Sequence, residues 1–573
     1  MVERAASKES AGGNSVLRRR WPLFALCGGL ALVEAIALQV TGFRSAMPLA
    51  PQISAPASLG VYHDLRWVFP YSWSWTSTIW QLAALLAFRT LVTAAIVVLA
   101  WPAGTPRESW PVLLRRNLVA TAVAVVALSP WVAVAFAAQA VAYSWFMLLS
   151  IVAAFVTVLV LPLAVTGRWW RRLVLWRSAG WVALAALALT VEALVISVAP
   201  GWVAVLAAFA AGLLNAVIWL GLVRVGVHAG EPAHPRPLAP VAMLTVLAVF
   251  LVGGGFLVSS AVGDHRQRPS GPAPVPGGQP VLFVAGYNTA FDGGPFALFS
   301  STELASWHYS YQGLGPAGPL PYEPIWTHQA VDVSAAKLAA QVDWLAARTG
   351  RPVAVVAESE GTLVARAYLT ANPAAPVSSF VMASPLPRPG RVYYPPAGET
   401  GWGWLGGWEV RGLLAMLRLL NPGFEVSADM PLVRSVVENA GLFRPSILCP
   451  VGGGVQTFAF VPLSGATVVY HGEVSHVPWT ALPGWHASLL PRETVARDIE
   501  QLLTTGRVSA HDVSTTAFRL IYGAAAAWQV PALPLHLRAE WNAPPNTDPA
   551  FARWHCPTYW AARRTGLPDV LGC

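Results

Sequence analysis

Charged residues are scarce in this chain. Asp, Glu, Lys and Arg make up only 11% of its 573 residues, and hydrophobic residues make up 55%. This excludes a wholly soluble globular protein, whose charged fraction is usually about 25%. The net charge of +9 comes largely from arginines between apolar runs. In membrane proteins, arginines at such positions determine which side of the bilayer each connection faces. No zinc-finger spacing or RNA-binding motif accompanies them, so nucleic acid is not an expected partner.

Cysteine is also scarce, and the four cysteines lack the close spacing that zinc sites require. The sequence likewise has no glycine-rich loop of the kind that cradles phosphates. We therefore expect neither a metal nor a cofactor. Long apolar runs, in contrast, are abundant, and they fill most of the first 262 residues.

Seven apolar runs are long enough to cross the hydrocarbon core of a bilayer, for which a helix needs about 20 residues. A Ser-Pro pair at 129–130 interrupts the third run, which leaves the count of the third and fourth runs open. The predicted spans lie near residues 21–41, 78–101, 118–140, 144–165, 179–199, 202–223 and 239–262.

Arginine is concentrated before the first run and in every second connection between the runs. Such positively charged segments stay in the cytoplasm, so the N-terminus is predicted to be cytoplasmic and everything after about residue 262 extracytoplasmic. The first run is too long for a cleavable signal peptide. The arginines concerned are Arg18, Arg19, Arg20, Arg107, Arg115, Arg116, Arg168, Arg171, Arg172, Arg177, Arg224 and Arg236, whereas the alternate connections hold only Arg44 and Arg66.

Three cysteines, Cys449, Cys556 and Cys573, fall on the predicted extracytoplasmic side. Thiols there meet oxidising conditions, so one disulfide is expected. Cys556 with Cys573 closes the shortest loop and is the preferred pair. Cys27 lies in the first span and is expected to be inert.

Three ionisable residues, Glu34, Arg89 and Glu192, fall within the predicted spans. A charge at this depth is costly, so such residues usually pair with one another or line a path for a substrate or proton. We favour a pair between Arg89 and a glutamate that fixes helix packing, and a transport path is the alternative.

Composition divides the chain into five segments. A basic cytoplasmic tail (1–20) precedes an all-α membrane bundle (21–262), and a linker rich in Pro and Gly (263–279) leads to an extracytoplasmic domain (280–505) and a C-terminal extension (506–573). Strands alternate with helices in the extracytoplasmic domain, which predicts a mostly parallel sheet covered on both faces. The strands are predicted near 281–285, 304–311, 352–356, 380–383, 456–462 and 475–482, and the helices near 334–347, 362–370, 411–420 and 492–503.

One pentapeptide in this domain, Ala357-Glu358-Ser359-Glu360-Gly361, lies between an apolar run and a helical run. It has the form of a nucleophile elbow, a tight strand-to-helix turn that exposes a serine hydroxyl. With this motif, residues 280–502 resemble the α/β-hydrolase superfamily, in particular its lipase- and esterase-like members. The family has Gly where this chain has Ala357, a mild change because the turn needs a small side chain there. The resemblance implies that Ser359 is a nucleophile that forms an acyl-enzyme.

A serine of this kind needs N–H donors for the developing oxyanion. The resemblance implies one donor on Glu360 and another in the turn Gly286-Tyr287-Asn288, where glycine lets the backbone approach a substrate closely. An ordinary strand-ending turn is the alternative for Gly286. The carboxylates of Glu358 and Glu360 are expected to form a solvated or hydrogen-bonded pair and not to act as bases.

The resemblance also implies a histidine base in a loop near the end of the domain. His486 lies in such a loop, after the last predicted strand and before the last predicted helix. His471 and His476 are competitors, interpreted as strand-edge or loop residues.

The acid of the triad is where the sequence departs from the family pattern. The turn that usually holds it reads Leu463-Ser464-Gly465-Ala466 and has no carboxylate. Glu473, a little further on, is the first choice, and Asp429 is the second. A Ser-His dyad or an inactive site is the remaining alternative, because an orienting carboxylate contributes several powers of ten to the rate.

An insertion of about 70 residues separates the strands at 380–383 and 456–462, and it is expected to form a cap over about 386–450. It holds Trp402, Trp404 and Trp408 before an apolar helix. Exposed tryptophans suit a membrane interface. Packing of these tryptophans as the cap's own core is the alternative.

Together these features predict a membrane-anchored extracytoplasmic serine hydrolase of esterase or lipase type. Its expected partners are the lipid bilayer and an apolar ester or acyl substrate. The alternative from another class is a non-catalytic membrane sensor or scaffold whose hydrolase-like domain binds a ligand. A transporter ranks third, supported only by the ionisable residues of the spans.

Overall fold

A computed structural model of the chain contains an α-helical N-terminal region, called the bundle below, and a domain built on a parallel sheet, called the sheet domain. The predicted spans at 144–165 and 239–262, most of the linker, and the cysteines at 449, 556 and 573 lie outside the described residues. The residues described are 2–41, 43–140, 176–227, 277–299, 301, 303–386, 392–420, 425–438, 451, 454–463, 477–484, 486, 489–490, 492–508, 516–517, 520 and 523–531.

Five helices of the bundle are long and apolar enough to span a membrane, which confirms an N-terminal membrane region in outline. They match five of the seven predicted spans. The Ser129-Pro130 pair does not divide the third span, because one helix continues through Pro130. The helices are α1 (Val2–Val40), α2 (Ala57–Tyr71), α3 (Trp75–Ala100), α4 (Trp110–Ala140), α5 (Trp176–Val198) and α6 (Gly201–Val227), and all but α2 contain a candidate span.

The connection between the first two spans is folded and buried. It forms a 3-10 helix, Arg44–Ser54, followed by α2. Arg66 of α2 is fully buried and donates hydrogen bonds to the backbone oxygens of Ala527 (2.8 Å) and Gln529 (2.9 Å). A piece of the C-terminal extension is thereby held against the bundle.

Arg89 pairs with a carboxylate, but the partner is Asp64 of α2 and neither of the two glutamates of the spans. His63 joins this pair to Glu34, with contacts of 2.9 Å to Asp64 and 2.8 Å to Glu34. The expected Arg89–Glu pair is therefore wrong in its partner, because no local pattern indicates that α2 packs between α1 and α3. Glu192 has both carboxylate oxygens buried without a hydrogen bond to any described residue.

The sheet domain has six parallel strands in the order β2-β1-β5-β6-β7-β8, which confirms the mostly parallel sheet. A two-stranded antiparallel ribbon, β3-β4, lies apart from it. The strands are β1 (Gln279–Val284), β2 (Leu304–His308), β3 (Leu314–Gly315), β4 (Gly318–Pro319), β5 (Val353–Glu358), β6 (Val377–Ala383), β7 (Gln456–Pro462) and β8 (Trp479–Leu482).

Helices cover both faces of this sheet. Alternate residues of β5 point to opposite faces, so Val355 joins the core that contains α7 (Val331–Thr349) and α8 (Glu360–Ala371), and Val356 joins the core that contains α11 (Glu493–Thr505). Burial on both faces explains why the strands are almost continuously apolar.

The insertion between β6 and β7 contains α9 (Trp404–Leu420) and α10 (Pro431–Glu438). Its tryptophans contact the bundle: the Trp402 ring lies 5.2 Å from Trp73 and the Trp404 ring lies 5.1 Å from Trp75. The backbone N–H of Trp404 also donates to the oxygen of Ser72 at 3.0 Å. The cap is thus the bridge between the two halves of the molecule.

Candidate functional site

Ser359 stands at the sharp turn between β5 and α8. Its φ of 53° and ψ of −118° lie outside the regions that a non-glycine residue favours. Two hydrogen bonds hold the turn: the Ser359 N–H donates to Ala383 O at 3.1 Å, and the Thr362 N–H donates to Ser359 O at 3.0 Å. A strained backbone that the surroundings hold in place is typical of a functional residue.

Two glycines let neighbouring backbone come close to this turn. A Cβ atom on Gly286, after β1, would lie 2.9 Å from the Cβ of Ser359. A Cβ atom on Gly361 would overlap the backbone oxygen of Val284. Packing therefore requires a residue without a side chain at Gly361 of the pentapeptide and at Gly286 after β1.

The structure brings Ser359 and His486 together. The serine Oγ lies 2.6 Å from the histidine Nε2, although 127 residues separate them. Burial lowers the pKa of His486 to about 4, because desolvation penalises the charged imidazolium. A neutral imidazole in hydrogen-bond contact with a serine hydroxyl has the geometry of a general base.

The turn Gly286-Tyr287-Asn288 lies beside the serine, but one of its amides is already used. The Asn288 N–H donates to Thr327 Oγ1 at 2.9 Å. Within the described chain, the Tyr287 amide makes no hydrogen bond and is the donor of this turn that remains for an oxyanion, together with the amide of Glu360.

A short 3-10 helix, Pro324–His328, supports this turn and was missed by sequence reasoning. Thr327 accepts from Asn288, and the His328 ring stacks on Tyr287 with centroids 4.9 Å apart. Pro324 at the start of the helix is the only local signal, since proline favours the first position of a helix.

The glutamates beside the nucleophile are buried, so the expected solvated pair is wrong. Glu360 is only 2% exposed, and neither of its carboxylate oxygens has a hydrogen-bond partner among the described residues. Burial raises the pKa of this carboxyl well above its usual value. Burial of Glu360, directly after the nucleophile in the chain, thus disfavours a negative charge beside the candidate oxyanion site.

The two candidate acids have different positions. Asp429 lies in the cap and accepts hydrogen bonds from Arg411 at 2.7 and 2.8 Å, which lowers the pKa of its carboxyl. Glu473, like the competitors His471 and His476, lies outside the described residues. No described residue hydrogen-bonds His486 Nδ1, the atom that an orienting acid would contact.

Within the described ranges, no group of three or more His, Cys, Asp and Glu residues is arranged to hold a metal ion. Comparison of the chain with protein-family models, with curated proteins and with solved structures finds no significant match. The function therefore has to be argued from the site itself.

Proposed function

We propose that the sheet domain is a serine hydrolase of the α/β-hydrolase type, with Ser359 as nucleophile and His486 as base. The observation that carries the proposal is the 2.6 Å contact between the two side chains at a strained strand-to-helix turn. Burial of Glu358 and Glu360 supports it, because no neighbouring carboxylate is solvated beside the serine. The proposed substrates are apolar esters or thioesters.

The reaction would proceed in two balanced halves. Ser359 Oγ bonds to the ester carbonyl carbon while its proton passes to His486 Nε2, and the amides of Glu360 and Tyr287 stabilise the oxyanion. The C–O bond to the alcohol then breaks, and the alcohol leaves with that proton. Water, or an acceptor alcohol, gives its proton to His486 and attacks the acyl carbon. The bond between that carbon and Ser359 Oγ then breaks, the serine oxygen takes the proton back from His486, and the acyl group leaves as an acid or as a new ester.

Turnover of a p-nitrophenyl ester by purified protein tests this proposal. Ser359→Ala and His486→Ala should each reduce kcat/KM by about 10³-fold or more. The matched control is Ser378→Ala, which changes an exposed serine of β6 and should leave turnover unchanged. Equal turnover by Ser359→Ala and the wild type would remove the serine from the mechanism. No turnover above background by the wild type would favour a non-catalytic sensor or scaffold.

The proposal extends to topology. We place the N-terminus in the cytoplasm, seven helices across the membrane and the sheet domain outside, on the basis of the arginine distribution. A reporter that is active only outside the cytoplasm should be active when it is fused to the C-terminus. Activity of a cytoplasmic reporter at the same position would overturn this orientation.

A further inference from the structure

The second half of α9 is an apolar helix with little protein around it. It reads Leu-Leu-Ala-Met-Leu-Arg-Leu-Leu over residues 413–420. Leu419 is 86% exposed, Leu420 is 74% exposed and Met416 is 52% exposed. Water is a poor solvent for a continuous apolar surface of this kind, which normally marks an interaction site.

The first half of α9 is fixed at the level of the membrane helices. Trp404 contacts Trp75, the first residue of the span Trp75–Ala100. One turn further on, the Ser129 hydroxyl donates to Glu409 at 3.1 Å, and Ser129 lies inside the span Trp110–Ala137. The helix therefore starts at the end of one span and runs beside another, so its exposed leucines lie where the hydrocarbon of a bilayer would begin.

We infer that Met416, Leu419 and Leu420 insert into the membrane leaflet on the side of the sheet domain. Hydrocarbon is the occupant because the first half of α9 packs beside helices that are long and apolar enough to span a membrane, and the exposed apolar surface follows on the same helix. This inference rests on α9 alone and not on the proposed function.

The experiment measures solvent access and needs no enzyme activity. Leu420→Cys and Val333→Cys are prepared in full-length protein in open membrane fragments and treated with a membrane-impermeant maleimide, with the parent protein as baseline. Val333 is an exposed apolar residue of α7 and is the matched control. We expect Val333→Cys to react at once and Leu420→Cys to react only after denaturation in SDS.

Equal reaction of the two cysteines in membranes would overturn insertion. A second copy of the chain could also shield this helix, and oxidative crosslinking distinguishes the two. A Leu420→Cys dimer on oxidation, absent for the parent, would identify a second copy as the occupant and overturn the lipid assignment.

Discussion

The bundle and the sheet domain each bury ionisable side chains, but they treat them in opposite ways. In the bundle, Arg89 is 1% exposed and is paired with Asp64, which is linked through His63 to Glu34. In the sheet domain, His486 hydrogen-bonds the uncharged Ser359, and Glu360 has no hydrogen-bond partner in the described part of the chain. The first arrangement neutralises charge by pairing, whereas in the second burial disfavours the charged form of both groups.

This difference distinguishes a structural cluster from a chemical site. The buried ion pair joins α2 to α3, and His63 links it to Glu34 of α1, so the cluster fixes the packing of these three helices. A buried neutral imidazole beside a serine is instead able to accept a proton, and a buried neutral carboxyl adds no repulsion to a developing oxyanion. The comparison supports a structural role for the charges of the bundle and a catalytic role for the sheet domain.

The largest expected effect concerns the acid of the proposed triad, since no described residue hydrogen-bonds His486 Nδ1. Glu473→Gln should lower kcat by up to about 10⁴-fold with little change in KM, because an orienting carboxylate fixes the histidine tautomer and stabilises the imidazolium. Asp429→Asn should change stability more than turnover, since Asp429 pairs with Arg411. The opposite ranking would move the assignment to Asp429, and no effect of either change would leave a dyad.

The pH dependence of kcat/KM in Glu473→Gln tests the same assignment of the triad acid. Without a carboxylate partner, His486 keeps the pKa of about 4 that burial gives it. The acidic limb of kcat/KM should then lie near pH 4 in this variant. Stability that depends on His486 should be lost as pH falls from about 6.5, the pKa of an unfolded histidine, to about 4. A limb near pH 7 in the variant would point to another acid beside His486.

The next effect concerns the paired cluster. Arg89→Met should reduce the free energy of unfolding by about 3–5 kcal/mol, because it leaves the Asp64 carboxylate buried without its cation. The double variant Arg89→Met/Asp64→Asn should recover part of this loss. Thermal unfolding in detergent, followed without any added ligand, measures the stability loss of the single and the double variant. A larger loss in the double variant than in the single variant would contradict pairing as the reason for the cluster.

The smallest expected effect concerns Glu360. Its folded-state pKa is raised, so wild-type stability should fall as pH rises above about 4.3, at a slope of about 1.4 kcal/mol per pH unit, until the folded-state pKa is reached. Glu360→Gln should lack this fall, whereas the exposed control Glu399→Gln should retain it. Unfolding midpoints measured from pH 4 to 8 decide the matter, and parallel curves for all three proteins would refute a buried neutral carboxyl.

Local sequence patterns were sufficient to predict the six strands of the parallel sheet to within a few residues, and the turn at Ser359, but not the ribbon β3-β4. The run at 352–356 is apolar and is followed by small residues and a helical pattern, and β5, Ser359 and α8 lie there. The pairing of Ser359 with His486 needed the chain order implied by the family resemblance as well. These features depend on neighbours in the chain or on a known order of elements.

Other features depend on residues that are distant in sequence, and no local pattern marks them. Asp64 lies in a short helix whose burial between α1 and α3 is set by tertiary packing. Glu360 looks like a surface residue at a helix start, but the tertiary fold leaves it only 2% exposed. The contact of Asn288 with Thr327 likewise joins two loops that are 39 residues apart.

The most direct test of the central claim is to locate the adduct of a fluorophosphonate probe. The serine oxygen displaces fluoride from phosphorus and its proton passes to the histidine, so only an activated serine reacts rapidly. Peptide mapping by mass spectrometry should find a single stoichiometric adduct on the peptide that contains Ser359, and His486→Ala should slow its formation. Absence of an adduct, or a rapid adduct on a different serine, would contradict the assignment of Ser359 as the nucleophile.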